Sequence, residues 1–274
     1  MIKEFQNYLS AVKGYSDNTV VAYGKDLKDF VHYMLTIKEA PTWSTVIAEE
    51  VQGYVVDMHD RQLNNTTIKR RVSAIRSLFN YMKVEGLLQQ NPARFTQTPK
   101  CLKKLPNVID INSIVDAVTS ESNPLKVRCM LALLLETGVR LQELLDLRTE
   151  HFNGKEHSIR ILGKGGKERM VYYGDLTKEL LNRYVGHRQG RIFWEEQRDA
   201  RRLVFETLRK YSNARQLSPH AIRHTFATCM LNNGADIKAI QDLLGHESVK
   251  TTERYAQLTQ QATREQYNMF YPRV

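Results

Sequence analysis

Apolar residues recur every three or four positions along most of this chain, and that spacing restricts its fold more than any other feature. The first 90 residues contain four such periods, which predict a bundle of four helices. One period is capped by Asn18, and another follows Asn65 and is stopped by Gly86. Only residues 158–173 change to strand-like spacing, which predicts a β-hairpin. We therefore predict a mainly α fold with a small antiparallel β-sheet in its C-terminal part.

A segment rich in proline and lysine divides the chain into two predicted domains. The chain has 274 residues, close to twice an ordinary domain of about 150. Pro92, Pro99 and Pro106 lie in a stretch with little apolar periodicity, which is typical of a linker. We predict a helical domain at 1–92, a basic linker at 93–106, and a mostly helical domain at 107–274 that ends in a tail helix.

Composition limits the class of protein and its compartment. No segment has the pattern of a signal peptide or a membrane span, and we expect a cytoplasmic protein without membrane association. Three widely spaced cysteines support neither a disulfide framework nor a zinc site. The net charge is +10, and most of the basic excess follows residue 92. This excess favours a polyanionic partner such as nucleic acid.

Basic side chains at two places are candidates for contacts with DNA phosphates. The helix that follows Asn65 carries several outside its apolar stripe, which suits a phosphate-facing surface, although a solvated face fits equally well. Lysines of the predicted linker could lie along a DNA backbone. The candidates for DNA binding are Lys69, Arg70, Arg71, Arg76, Lys103 and Lys104.

The glycine-rich turn of the predicted hairpin is not a nucleotide-binding loop. Lys167 is followed by Glu168, whereas a P-loop needs serine or threonine there, and the Rossmann glycine pattern is also missing. The turn instead places Lys164 at the tip of a hairpin, where flanking glycines allow the backbone to approach a ligand closely.

Two histidines lie one helical turn apart at His220 and His224, but they do not form a zinc protease motif. Such a motif needs glutamate where this chain has Ala221, and we expect no metal site. His220 and Arg223 can face one anion, and the helix start at Ser218 adds its positive end.

Arg140 follows a strongly apolar helical run and Gly138. A guanidinium in such a setting needs a partner, either an internal carboxylate such as Glu143 or a bound phosphate. Further along, Gly245 precedes His246, and Tyr255 follows nine residues later. Each of these residues alone is unremarkable.

Taken in order, these residues resemble the hallmark of the tyrosine recombinase (phage integrase) family, and the match is closest to the Xer recombinases. The segments TGVRLQELLDL, LGKGGKERMVYY, LSPHAIRHTFATCMLNNG and IQDLLGHESVKTTERYAQL resemble the family's motif blocks. The resemblance covers most of 107–260, and the N-terminal bundle resembles the family's SAM-like, core-binding domain. The residues that carry it are Arg140, Lys164, His220, Arg223, His246 and Tyr255.

The resemblance implies a role for each of these residues. Tyr255 would be the nucleophile that forms a 3′-phosphotyrosine, and two arginines, Arg140 and Arg223, would neutralise the transition state. His220 would act as general base, and His246 would donate to a nonbridging oxygen. Lys164 would be the general acid, with Lys167 as its rival.

The resemblance also implies the activity and the partners. It predicts a site-specific DNA recombinase that works through a Holliday junction, in chromosome dimer resolution and partition or in integration and excision of a mobile element. The partners would be duplex DNA with specific core sites and further copies of this chain in a homo-tetramer on the DNA, with room for a second recombinase in that assembly. No cofactor would be needed. The alternatives are a type IB topoisomerase and a DNA-binding regulator that keeps only the fold.

Overall fold

The computed structural model describes residues 1–101, 108–163 and 166–245, and the chain forms two compact units, 1–103 and 104–274. Lys103, Lys104 and Lys164 lie outside the described residues. So do His246, Tyr255 and the predicted tail helix. Each unit is mainly helical, which confirms the predicted fold class.

Four helices form the N-terminal unit, as the four apolar periods predict. Their stripes meet in a core where Phe5, Phe30, Tyr54 and Phe79 are fully buried. Gly86 lies just beyond the last helix with φ of +73°, the left-handed conformation in which glycine commonly ends a helix. The helices are α1 (Ile2–Ala11), α2 (Asp17–Ile37), α3 (Ala48–Asp60) and α4 (Asn65–Val84), with a short 3₁₀ turn at Trp43–Thr45.

The predicted cap of α2 is wrong by two residues. Ser16 is the residue with extended backbone before the helix, and Asn18 lies within the first turn. Both residues are of types that favour helix starts, and the sequence alone did not rank them.

The N-terminal unit extends beyond the predicted boundary at residue 92. Ala93 is fully buried in its core, and Arg76 donates hydrogen bonds to the carbonyl oxygens of Ala93 and Thr96, both at 3.1 Å. The Asn65 side chain donates to the carbonyl of Lys100 at 3.0 Å. The first part of the predicted linker is therefore attached to the helical unit, because α4 satisfies its backbone polar groups.

The C-terminal unit is built around one buried helix, α6. Residues 129–134 of this helix are all buried, which explains the unbroken apolar run. The described part of the chain contains no helix long and apolar enough to cross a membrane. The helices that the structure describes in this unit are α5 (Ile111–Thr119), α6 (Leu125–Thr137), α7 (Leu141–Leu145), α8 (Asp175–Val185), α9 (Gln197–Leu208), α10 (Pro219–Asn232) and α11 (Ile237–Leu244).

A small antiparallel sheet of three strands completes the C-terminal unit. The strands are β1 (Phe152–Asn153), β2 (Ser158–Leu162) and β3 (Glu168–Tyr172), in the order β1-β2-β3. The hairpin of β2 and β3 confirms the prediction, and its register pairs Ile161 with Arg169. The amide of Gly163 donates to the carbonyl of Lys167 at 2.8 Å and closes the turn. The strand β1 was not predicted, because two residues are too few to show an alternation.

Candidate active site

The start of α10 presents the predicted pair of His220 and Arg223. The Ser218 hydroxyl accepts a hydrogen bond from the amide of Ala221 at 3.2 Å, and Pro219 occupies the first helical position. The helix therefore begins where the sequence predicts. The pair lies in its first two turns, with the Arg223 side chain buried and that of His220 exposed.

Arg223 holds together the ends of two other helices. Its Nη1 donates to the carbonyl of Gly138 at 2.7 Å, and its Nη2 donates to the carbonyl of Leu244 at 2.7 Å. Gly138 ends α6 in a left-handed conformation with φ of +60°. A Cβ atom there would lie 2.5 Å from Phe226 Cδ1, so the close approach of α10 to this turn requires glycine.

Arg140 has the internal partner that the sequence left open, and this partner is Glu143. The Arg140 amide donates to Glu143 Oε2 at 2.8 Å, and Nη1 donates to Oε1 at 2.9 Å. Nη2 donates to the carbonyl of Gly245 at 3.3 Å. Because 41% of the Arg140 side chain is exposed, its guanidinium also faces solvent, where an anion can approach it.

Arg169 on β3 is a member of this site that sequence reasoning missed. Its Nη1 and Nη2 donate to the two carboxylate oxygens of Glu143 at 3.0 and 2.6 Å, and its Nε donates to the carbonyl of Leu243 at 2.7 Å. Burial raises the pKa of Glu143, but the bonds from Arg169 and the Arg140 amide outweigh it, and the net pKa is lowered. Glu143 is therefore an ionised carboxylate.

Three arginines thus donate to three successive carbonyls at the C-terminal end of α11. Arg169 binds the carbonyl of Leu243, Arg223 binds that of Leu244, and Arg140 binds that of Gly245. These carbonyls belong to the helix end, where backbone acceptors lack intrahelical donors and the helix dipole favours positive charge. The end of α11 therefore gathers guanidinium groups from β3, α10 and the start of α7.

The imidazole of His220 lies in the field of these positive charges. Partial burial lowers its pKa, and the charges of Arg223, Arg201 and Arg140 lower it further. A lowered pKa keeps the imidazole neutral at neutral pH, so it can accept a proton. Arg201, on α9, was also not predicted, because nothing in its local sequence distinguishes it from other exposed arginines.

The structure brings together Arg140, His220 and Arg223 of the predicted catalytic residues. Lys164, His246 and Tyr255 lie outside the described residues, so their roles stay predictions. Lys167, the rival of Lys164, has an exposed side chain next to the closing hydrogen bond of the hairpin turn.

The basic residues of α4 do not form one uniform surface. Arg71 is mostly buried and forms ion pairs with Asp26 and Asp29, and Arg70 pairs with Asp26. Arg76 is engaged with the carbonyls described above, whereas Lys69 is exposed. Lys69, and Arg70, which is half-exposed despite its pair with Asp26, are the side chains of this set that face solvent most.

Comparison with known proteins connects both units to one family. The profile of the phage integrase family matches residues 108–262, and that of the phage integrase N-terminal SAM-like domain matches residues 2–86. The tyrosine recombinase XerD of Staphylococcus epidermidis is 31% identical over 295 residues, which covers 100% of this chain and 99% of the relative. The tyrosine recombinase XerC of Pediococcus pentosaceus is 31% identical over 296 residues, with 100% and 98% covered.

A solved structure shares the fold. A lambda integrase dimer bound to a COC′ core site superposes with a TM-score of 0.72 at 18% identity, which covers 90% of this chain and 94% of that chain. The family profile covers more than half of the chain, and the relatives at 31% identity cover all of it. The chain therefore belongs to the phage integrase family of tyrosine recombinases.

Proposed function

We propose that this protein is a site-specific DNA recombinase that cleaves and rejoins duplex DNA through a 3′-phosphotyrosine. The observation that carries the proposal is the convergence of Arg140 and Arg223 at the end of α11, next to a histidine whose pKa is lowered. Family membership supports the same activity, since the relatives at 31% identity are named tyrosine recombinases.

The two arginines supply the charge that the reaction needs. When a nucleophile attacks a phosphodiester, negative charge builds on the nonbridging oxygens of the pentacovalent transition state. Guanidinium groups at fixed positions can neutralise that charge with paired hydrogen bonds. In this proposal, Arg140 approaches the scissile phosphate through its exposed edge, and Arg223 completes the cradle from α10.

The proposal assigns proton transfer to His220, His246 and Lys164. His220 accepts the phenolic proton of Tyr255, whose ordinary pKa of about 10 would otherwise prevent attack at neutral pH. His246 donates to a nonbridging oxygen, and Lys164 protonates the departing 5′-oxygen. The phosphotyrosine stores the energy of the broken bond as an ester, so the 5′-hydroxyl can attack it later and rejoin the strand without ATP.

The partners follow from the same chemistry. The net charge of +10 suits duplex DNA, and the solved lambda integrase was bound to a DNA core site. We propose that Lys69 and Arg70 of α4, together with Lys103 and Lys104, contact the DNA backbone. Strand exchange through a Holliday junction requires four active sites, which favours a tetramer. Because the substrate is DNA, we place the protein in the cytoplasm.

The cellular role has two candidates, chromosome dimer resolution and mobile-element movement. Both relatives reported above carry Xer names, which favours the chromosomal role. Selection of bound sequences from a random DNA pool, followed by mapping of the cleavage points, decides between them: a site in the host chromosome supports dimer resolution, and a site at an element's end supports mobility.

A covalent-adduct assay tests the proposal. Wild-type protein and Tyr255→Phe are incubated with a nicked duplex that carries a bound sequence, and the products are separated under denaturing conditions. We expect the wild type to form an adduct and Tyr255→Phe to bind equally well without forming one. No adduct with the wild type would favour a regulator, and relaxation of supercoiled DNA without any sequence requirement would favour a topoisomerase.

A further inference from the structure

Two guanidiniums share one buried carboxylate in the candidate site. Glu143 is only 10% exposed, and each of its oxygens accepts from both Arg140 and Arg169. The three groups together carry one net positive charge. Arg169 is also 10% exposed, whereas Arg140 is 41% exposed, so the side of the cluster that meets solvent belongs to Arg140.

We propose that Arg169 is a positioning residue for cleavage, which neutralises Glu143 so that the charge of Arg140 stays available to the scissile phosphate. The inference rests on the proposed function and adds to it a residue with its own task. Glu143 orients Arg140 through the amide and Nη1, but a carboxylate that orients a cation also cancels its charge. Arg169 removes this cost by supplying the second positive charge.

The geometry argues against a direct contact of Arg169 with phosphate. All three of its guanidinium nitrogens donate inwards, two to Glu143 and one to the Leu243 carbonyl. Gly245 also lies against it, since a Cβ atom there would be 3.1 Å from Arg169 Nη1. Arg169 is therefore enclosed by the groups that it binds, and it acts on the reaction through Glu143 and Arg140.

Loss of Arg169 would leave Arg140 as the main counter-ion of Glu143. A buried carboxylate needs a counter-ion, and Arg140 is the other described cation that is bonded to it. Arg140 would then be drawn towards Glu143, and the pair would carry no net charge. The planar fork of arginine matters as well, because lysine can supply the charge but cannot bind both carboxylate oxygens in the same geometry.

The test measures single-turnover adduct formation on two nicked duplexes, one with an ordinary scissile phosphate and one with a neutral methylphosphonate there. The variants are Arg169→Gln, Arg169→Lys and the double variant Arg169→Gln with Glu143→Gln. Arg183→Gln, which removes the partner of Glu179 on the exposed side of α8, is the matched control. Thermal unfolding and DNA binding are measured for every variant.

We expect Arg169→Gln to slow cleavage of the phosphate by about 100-fold, the size of effect seen when one charge-stabilising donor is removed. On the methylphosphonate, which has no charge to neutralise, the same variant should lose less than about 5-fold relative to wild type. Arg169→Lys should lose about 10-fold, and the double variant should regain at least about 10-fold over Arg169→Gln, because the carboxylate is gone. Arg183→Gln should cleave like wild type.

Equal losses on the two substrates, or a double variant no faster than Arg169→Gln, would show that Arg169 only supports the fold and would overturn the proposal. If Arg169→Gln does not fold, the double variant decides, since the proposal requires that variant to fold and cleave. Failure of the proposed function gives a different result: the wild type itself would form no adduct on the phosphate duplex.

Discussion

Substitution of Gly138 by alanine tests whether the turn after α6 is crowded as well as left-handed. Two effects add in this variant. The left-handed backbone costs an alanine about 1.5 kcal/mol. The new Cβ would also lie 2.5 Å from Phe226 Cδ1 and 2.9 Å from Leu244 Cδ2, and such overpacking costs about 2 kcal/mol. We expect the free energy of unfolding to fall by roughly 3 to 4 kcal/mol.

Gly234 provides the matched control in the same compact unit. It follows the end of α10 with φ of +83°, and a Cβ atom there would have no neighbour within 4 Å among the residues that the structure describes. Gly234→Ala should therefore lose only the backbone cost, about 1.5 kcal/mol. For a unit of this size, each kcal/mol lowers Tm by roughly 2 to 4 °C, so we expect decreases of about 10 °C and about 4 °C.

Thermal unfolding followed by circular dichroism measures both variants, and the adduct assay adds a second comparison. The carbonyl of Gly138 accepts from Arg223, so displacement of this turn should also slow cleavage, whereas Gly234→Ala should cleave like wild type. If the two variants have the same Tm within about 1 °C, the backbone conformation alone sets the cost, and the reasoning from the Phe226 contact is wrong.

Three further predictions concern the reaction and the assembly. Because the pKa of His220 is lowered from 6.5, cleavage should stay active as the pH is reduced below 6.5. In a pH–rate profile, a loss of activity on acidification that is already complete at pH 6.5 would contradict the role of His220 as base. Lys164→Ala should be slow on normal DNA but rescued when sulfur replaces the 5′-oxygen, and the same rescue in Lys167→Ala instead would identify Lys167 as the acid. Deletion of 262–274 should weaken cooperative binding to two half-sites in a gel-shift titration but not binding to one, whereas equal weakening would mean that the tail supports its own unit.

The sequence predicted best what local spacing encodes. The periods of α2 and α4, the hairpin and the cap at Ser218 depend on neighbours within a few positions, and each is observed. Arg140 could be singled out because Gly138 and an apolar helix precede it.

What the sequence did not predict depends on distant contacts. Arg169 was missed because Glu143 lies 26 positions before it and the Leu243 carbonyl 74 positions after it. The predicted boundary at residue 92 was too early for a similar reason, since the groups that hold Ala93 and Lys100 are on α4. Burial of Arg71 also depends on partners in another helix, and its local sequence gives no sign of them.

The arginines at the end of α11 serve the fold even when no DNA is bound. A descendant of this protein that lost its nucleophile would still need Arg223 to join α6 to α11, and it would still need Arg169 beside Glu143. Selection for stability alone would preserve these residues through many generations. The exposed His220, which makes no such hydrogen bond to another element within the described part of the chain, would be freer to change. Under the proposed mechanism, Tyr255 together with His220 is therefore the better marker of a working enzyme, because stability alone can preserve the arginines.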